Sequence, residues 1–207
     1  VKLGISYFFY QFATMLSQVV LNNALTTYGA MSPYGSDVPL AVVAVVSKVS
    51  VLFMCILQGI GQSCQPLFGY NYGAKRYDRV KETYWKALAA SFVVSILAFI
   101  VFQVFPREII GIFGDGSEEY FLFGERYMRI FMMMILIGGV QPLSGQLFTS
   151  IGKAGRGLIL SLSRQGYFLI PLLLIMPRLF GIDGVLYAAP IADVLAAVLA
   201  FALTITE

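Results

Sequence analysis

Six long apolar stretches occupy most of this 207-residue chain and leave little room for any other kind of domain. Hydrophobic residues make up 58% of the sequence and charged residues only 12%, about half the charged share of a typical soluble domain. A helix needs roughly 20 apolar residues to cross the hydrocarbon core of a bilayer. The stretches therefore predict an all-α membrane protein, a bundle of six transmembrane helices that forms one domain with the lipid bilayer as its solvent.

The boundaries of the apolar stretches predict helices over residues 6–27, 39–68, 78–105, 119–151, 157–179 and 184–204. Proline interrupts the apolar spans at Pro142, Pro171 and Pro190. Each proline removes a backbone donor and bends its helix, and in lipid the released carbonyl needs a partner from protein or water. Kinked spans around a polar cavity and ordinary tolerance of proline remain equally open interpretations.

Positive charge alternates between the links that join the spans. The link between the second and third spans has five cations, the link between the fourth and fifth has three, and the first link has none: Lys75, Arg76, Arg79, Lys81 and Lys86, then Lys153, Arg156 and Arg164. Because cationic links stay in the cytoplasm, we expect a multi-pass protein of the plasma (inner) membrane with both chain ends inside. The net charge of +3 thus reflects topology, and no continuous basic face predicts nucleic-acid binding.

The residue types present argue against catalysis. The chain has no histidine, which excludes histidine-based triads and most zinc sites. No pairing of a nucleophile with a base and no cluster of metal ligands is visible, so we expect neither an enzyme nor a bound metal or cofactor. The chain starts at Val1 without a methionine, and we expect it to be part of a longer protein.

Two full charges fall deep inside spans, Lys48 in the second and Asp193 in the sixth. Each is nine residues past the outer start of its helix, about 13 Å at 1.5 Å per residue. A lone charge at that depth costs at least ~2.5 kcal/mol, and two opposite charges at one depth can relieve that cost by pairing. We therefore predict a Lys48–Asp193 pair, either as an ion-coupling switch or as a permanent structural link.

Amide side chains also occur at membrane depth, where they either bond to neighbouring helices or line a wet cavity. Gln58, Gln62 and Gln65 on the second span share one helix face because their spacing is four and then three residues. We expect the following amides to line a cavity: Gln18, Asn22 and Asn23 on the first span, Gln58 and Gln62 on the second, and Gln141 on the fourth.

The segment from Gln58 to Tyr77 closely resembles the multidrug and toxic compound extrusion (MATE) family, in particular the second six-helix lobe of those twelve-helix transporters. Its most specific part is the motif after the second span, which we expect to form a cytoplasmic loop: Asn71-Tyr72-Gly73-Ala74-Lys75-Arg76. Further support comes from Ala189-Pro190-Ile191-Ala192-Asp193 in the sixth span.

The resemblance implies half of an efflux antiporter that exports small organic, often cationic, compounds by alternating access in exchange for Na⁺ or H⁺. Its partner would be an N-terminal six-helix lobe that is missing from this chain. Some members of the family hold the coupling cation on carboxylates of the first and fourth helices of this lobe. Here the first span offers only amides and the middle of the fourth has no acid. Other members use an acidic residue in the first helix of the other lobe, so the coupling carboxylate is either there or Asp193, the one deep carboxylate left in this lobe.

Two other functions stay open. A flippase for lipid-linked saccharides, from the same superfamily, would favour a more cationic cavity. A membrane scaffold that transports nothing would pack its spans tightly without a cavity.

Overall fold

The computed structural model describes residues 2–114 and 116–205, with the side chains of all but 2–7 and 154. Every regular element in those ranges is helical, which confirms the all-α class. The α-helices are α1 Lys2–Ala30, α2 Asp37–Gly73, α3 Tyr77–Val104, α4 Pro106–Ile112, α5 Glu118–Phe131, α6 Val140–Ser150, α7 Ala154–Leu162, α8 Ile170–Phe180 and α9 Ile182–Ile205. A 3-10 helix at Met133–Ile137 precedes α6, and a π-helix at Ser163–Leu169 joins α7 to α8.

Four helical stretches of the described chain are long and apolar enough to cross a membrane: Asp37–Gly73, Tyr77–Val104, Gly155–Phe180 and Ile182–Ile205. A fifth span results if Glu118–Ile137 and Val140–Ser150, which meet at 42°, are taken as one bent helix. Helix α1 has 29 residues, about 43 Å of helix, so it is long enough to span. Its amide and hydroxyl side chains lower its mean hydropathy, so it is not among the four apolar stretches.

Of the prolines Pro142, Pro171 and Pro190, the first two are accompanied by irregularities of the helix. The bend between α5 and α6 lies just before Pro142, and the π-helix ends just before Pro171. A proline cannot donate to the preceding turn and its ring clashes there, so the turn before each proline adopts another hydrogen-bond spacing. Pro190, in contrast, lies inside the continuous helix α9.

The two basic turns lie side by side at one end of the bundle. A β-carbon added to Gly69, near the end of α2, would lie 3.5 Å from the carbonyl oxygen of Ser150, the last residue of α6. The cations that follow α2 and those that follow α6 therefore share one end, which is what an alternating charge pattern requires. Of the eight cations assigned to the links, three lie between helices: Lys75, Arg76 and Lys153. Arg79, Lys81, Lys86 and Arg156 lie near the starts of α3 and α7, whereas Arg164 lies well inside the span, in the π-helix.

The largest apolar core lies between α2, α5, α8 and α9. Its fully or almost fully buried side chains include Val46, Phe123, Tyr127, Leu173 and Leu186. Glycine lets the bent span approach its neighbours: a β-carbon on Gly139 would lie 2.9 Å from the β-carbon of Ser91 on α3. The bend is therefore packed against the bundle, and it brings the start of α6 towards α2 and the π-helix.

Candidate transport site

A cavity of about 240 Å³ lies among α1, α2, the start of α6, the π-helix and α9. Polar side chains reach it from each of these five elements: Tyr10 and Thr14, Gln58, Gln141, Arg164 and Gln165, and Asp193. Met54 and Ala196 contribute apolar wall. Polar groups from five separate elements around one internal space, within helices of membrane-spanning length, indicate a site that holds water, ions or a polar ligand.

The cavity contains an ion pair between Arg164 of the π-helix and Asp193 of α9. The Nε atom of Arg164 donates to Oδ1 of Asp193. Their side chains are only 22% and 15% exposed, respectively. The predicted Lys48–Asp193 pair is therefore wrong, although Asp193 is paired with a cation as its depth required. The sequence-based prediction assigned Arg164 to a cytoplasmic link and so missed the true partner.

Lys48 does not line this cavity. Its side chain is exposed, and it lines a shallow surface groove with Ser47, Val51 and Leu52. Within residues 2–114 and 116–205 it has no ion-pair partner. Depth along the helix was the basis for the predicted pair, but depth does not decide which way a side chain points around the helix axis.

The π-helix that carries Arg164 and the end of α7 just before it are each bonded to a neighbouring helix through a backbone carbonyl. Nε2 of Gln141 donates to the carbonyl oxygen of Leu160 at 2.7 Å, and Oγ of Ser17 donates to the carbonyl oxygen of Gln165 at 3.0 Å. Such bonds supply the partners that irregular backbone needs inside a membrane. Short π-helical segments are common at functional positions, and this one directs Arg164 towards α9.

The six amides that were predicted to line a cavity divide into two groups. Gln58 and Gln141 line the cavity. The other four are exposed on the surface of this lobe and lie outside that cavity: Gln18, Asn22, Asn23 and Gln62. Gln11, which the sequence analysis did not single out, is exposed on the same face of α1 as Gln18 and Asn22, because the spacings of seven and four residues return to one side of a helix.

Helices α1 and α2 together present a polar stripe. Helix α1 contributes Gln11, Gln18 and Asn22, and helix α2 contributes Lys48, Gln58 and Gln62. The two helices pack against each other, and Thr14 of α1 and Gln58 of α2 line the same cavity. Large apolar side chains are exposed on all three helices, for example Phe12 on α1 and Val51 on α2. The exposed side of α3 differs because residues 89–104 expose apolar side chains alone, among them Phe92 and Leu97. Helix α3 thus suits contact with lipid, whereas the polar stripe suits a watery passage.

The first half of the predicted cytoplasmic loop motif, residues 71–73, forms the last turn of α2. The second half, residues 74–76, forms the turn that follows. Asn71 is buried, and its Nδ2 donates to the carbonyl oxygen of Leu67 at 2.9 Å. The helix continues to Gly73, and Lys75 takes a positive φ of 57°. The backbone N–H groups of Lys75 and Arg76 donate to the carbonyls of Tyr72 and Asn71, which is the Schellman pattern of helix ends.

The turn after α6 has the same geometry. Gly152 takes the positive φ, at 81°, and Lys153 donates its backbone N–H to the carbonyl of Phe148 at 2.9 Å. The two basic turns are thus built alike, with a cation just before the next helix. Glycine occupies the left-handed position in only one of them, and in the other Lys75 takes a conformation that costs a residue with a β-carbon energy.

In the described part of the chain, no group of three or more Cys, Asp or Glu side chains is close enough to hold a metal ion. Asp193 is the only carboxylate among the described residues that line the cavity, and its partner is an arginine.

A bundle of membrane-length helices with a charged cavity and a polar exposed stripe is typical of one lobe of a membrane transporter. A family model described as MatE matches residues 10–175, so the chain belongs to the MatE family.

Known relatives agree with this assignment and show how much of a transporter the chain represents. The chain is 28% identical over 205 residues to the multidrug export protein MepA of Staphylococcus haemolyticus (strain JCSC1435), covering 96% of this chain and 42% of MepA. It is 36% identical to the solved MATE multidrug transporter DinF-BH, with a TM-score of 0.84 over 100% of this chain and 45% of that one. The chain therefore spans about half the length of the relatives it matches.

A more distant structure shows that the fold is shared. An outward-facing MATE family transporter of the MOP superfamily is only 17% identical but has a TM-score of 0.88 over 98% of this chain and 44% of its own. The described helices thus form one lobe of the two-lobe MATE architecture.

Proposed function

We propose that the chain is half of a cation-coupled multidrug exporter, which moves small organic, often cationic, compounds by alternating access. Membership in the MatE family and similarity to multidrug export proteins support this proposal. The observation that carries it is the polar stripe of α1 and α2 beside a charged cavity, at a depth where lipid would penalise both. The second lobe would close the passage over this stripe, in the manner of pseudo-symmetric transporters.

We place the basic turns in the cytoplasm of a cell bounded by this plasma (inner) membrane. The turns after α2 and α6 lie at one end of the bundle, and both are cationic. An excess of Lys and Arg keeps such turns on the cytoplasmic side. With six spans, the two ends of the chain would then both be cytoplasmic.

A route for coupling follows if Asp193 is the coupling carboxylate. Arg164 occupies the position beside Asp193 that Na⁺ or a proton would take. Binding of the coupling ion would release Arg164. Because the π-helix is bonded to α1 through Ser17, and the end of α7 before it is bonded to α6 through Gln141, movement of this segment would reach the walls of the passage. Coupling would thus be an exchange of one cation for another at the same carboxylate.

The test uses the full-length protein that contains this lobe, expressed in cells depleted of their own exporters. We expect faster efflux of a cationic dye than in cells with empty vector, and loss of that efflux when either the sodium gradient or the proton gradient is removed. Efflux no faster than the vector control would refute export, and efflux indifferent to both gradients would refute coupling.

The assignment of Asp193 as the coupling carboxylate is tested by a separate experiment. Asp193→Asn should remove the dependence on the coupling ion while the protein still reaches the membrane. Gln103→Ala is a control variant, because Gln103 lies near the far end of α3 and bonds to the backbone of α5. If Asp193→Asn keeps full ion dependence, the coupling carboxylate lies in the other lobe.

One observation favours a second candidate, a flippase for lipid-linked saccharides. Lys48 has no anionic partner in the described chain, and a phosphate-bearing substrate could supply one. The internal cavity argues against a scaffold that transports nothing, because such a protein has no need for a charged space within its spans.

A further inference from the structure

The charged side chains at the cavity and at the groove beside it include one more cation than anion. Three charged side chains lie on the cavity or beside it: Lys48, Arg164 and Asp193. Arg164 and Asp193 satisfy each other, so the positive charge of Lys48 is left over. Val51 lines both the groove of Lys48 and the cavity of the ion pair, which means that the two spaces are neighbours.

The position of Lys48 makes a lipid contact unfavourable. It is eleven residues from Asp37, where α2 begins, about 16 Å along the helix, and its segment is strongly apolar in composition. The spacing from Lys48 to Gln62, fourteen residues, brings the two side chains to within about 40° of each other around the helix axis, and both are exposed. Lys48 therefore belongs to the polar stripe, and its ammonium group needs an anionic partner there.

We propose that Lys48 binds the anionic group of a transported compound, so that this exporter favours substrates that carry a carboxylate. This inference rests on the proposed function in taking the polar stripe as the wall of the passage. A purely cationic compound would meet Lys48 as a like charge and would find Asp193 already paired. A compound with an added carboxylate would gain a charge-assisted hydrogen bond from the lysine.

Two dyes that differ in one group provide the test: the ethyl ester of a cationic rhodamine, and its free acid, which has the same cationic ring system and a carboxylate. Binding of each is measured by fluorescence polarisation on the purified full-length protein. We expect the free acid to bind about tenfold more tightly than the ester, near the lower end for hydrogen bonds to charged groups. Lys48→Gln should abolish the preference, and Lys48→Arg should preserve it.

Lys86→Gln is the matched control, because Lys86 is an exposed lysine near the start of α3 that is paired with Glu82 at 2.6 Å. Removing this charge should leave both affinities unchanged. Equal binding of the two dyes by the wild-type protein would overturn the inference, and so would a preference for the free acid that survives Lys48→Gln. If Lys48→Gln weakens both dyes alike, the inference also fails, because the lysine then serves the protein itself, for example by pairing with a carboxylate of the other lobe.

Efflux of the same dyes separates this inference from the proposed function. If the free acid binds in a Lys48-dependent way but cells do not export it, the export proposal fails and the anion site stands. If both dyes are exported at rates that ignore Lys48→Gln, export stands and the anion site fails.

Discussion

Breaking the Arg164–Asp193 pair from one side should destabilise the transporter markedly. Asp193→Asn leaves the guanidinium of Arg164 with 22% exposure and no counter-charge. Removing one partner of a buried pair typically costs about 3–5 kcal/mol. Because both side chains border a cavity large enough for water, we expect about 3 kcal/mol, at the lower end of that range. Arg164→Gln should cost a similar amount, since it leaves Asp193 unpaired.

A double-mutant cycle isolates the interaction itself. The two single variants and the double variant are compared by their free energies of unfolding in detergent, measured on the full-length protein. We expect a coupling energy of about 2 kcal/mol, within the range for residues in contact. The Arg107–Glu118 pair is the matched control within the same chain, because its N···O distance is 2.7 Å but its side chains are 45% and 64% exposed. Its coupling energy should not exceed about 1 kcal/mol.

Two results would refute this reasoning. A coupling energy for Arg164 and Asp193 no larger than that of the exposed control pair would mean that burial adds nothing to this interaction. A cycle between Lys48→Gln and Asp193→Asn should be additive, because the structure places Lys48 outside the pair. Strong coupling between those two residues would instead support the pairing that the sequence alone suggested.

Three smaller predictions concern backbone geometry, all measured as changes in thermal unfolding with Gly73→Ala as a control that meets no atom within 4 Å. Lys75→Gly should stabilise by about 1 kcal/mol, since it relieves a left-handed residue with a β-carbon; an unchanged or lower midpoint would contradict this. Gly184→Ala should destabilise by at least about 1–3 kcal/mol, because its new β-carbon overlaps the backbone of Met176; a neutral result would show that α8 shifts freely. Ser17→Ala removes the bond from α1 to the π-helix and should cost about 0.6 kcal/mol; a stabilised variant would argue against that bond.

Composition and patterning were sufficient to predict the membrane environment. The apolar stretches are long, and their length against the bilayer thickness is a one-dimensional property that the sequence displays directly. The clustering of Lys75 and Arg76 with Lys153 at one end followed from counting charges in links. The motif from Asn71 to Arg76 carried the family resemblance, which the match to MatE now confirms.

The tertiary structure decided which charges meet. Lys48 and Asp193 lie at similar depths, but pairing also needs the side chains to point towards each other around two helix axes. Arg164 meets Asp193 because a π-helix before Pro171 changes the direction of its side chain, and no periodic pattern with 3.6 residues per turn anticipates that change. The depth of a charged residue in the membrane follows from its position along its helix, which the sequence shows. The direction of its side chain around the helix axis depends on how the helices pack. Which charges pair in the passage depends on both.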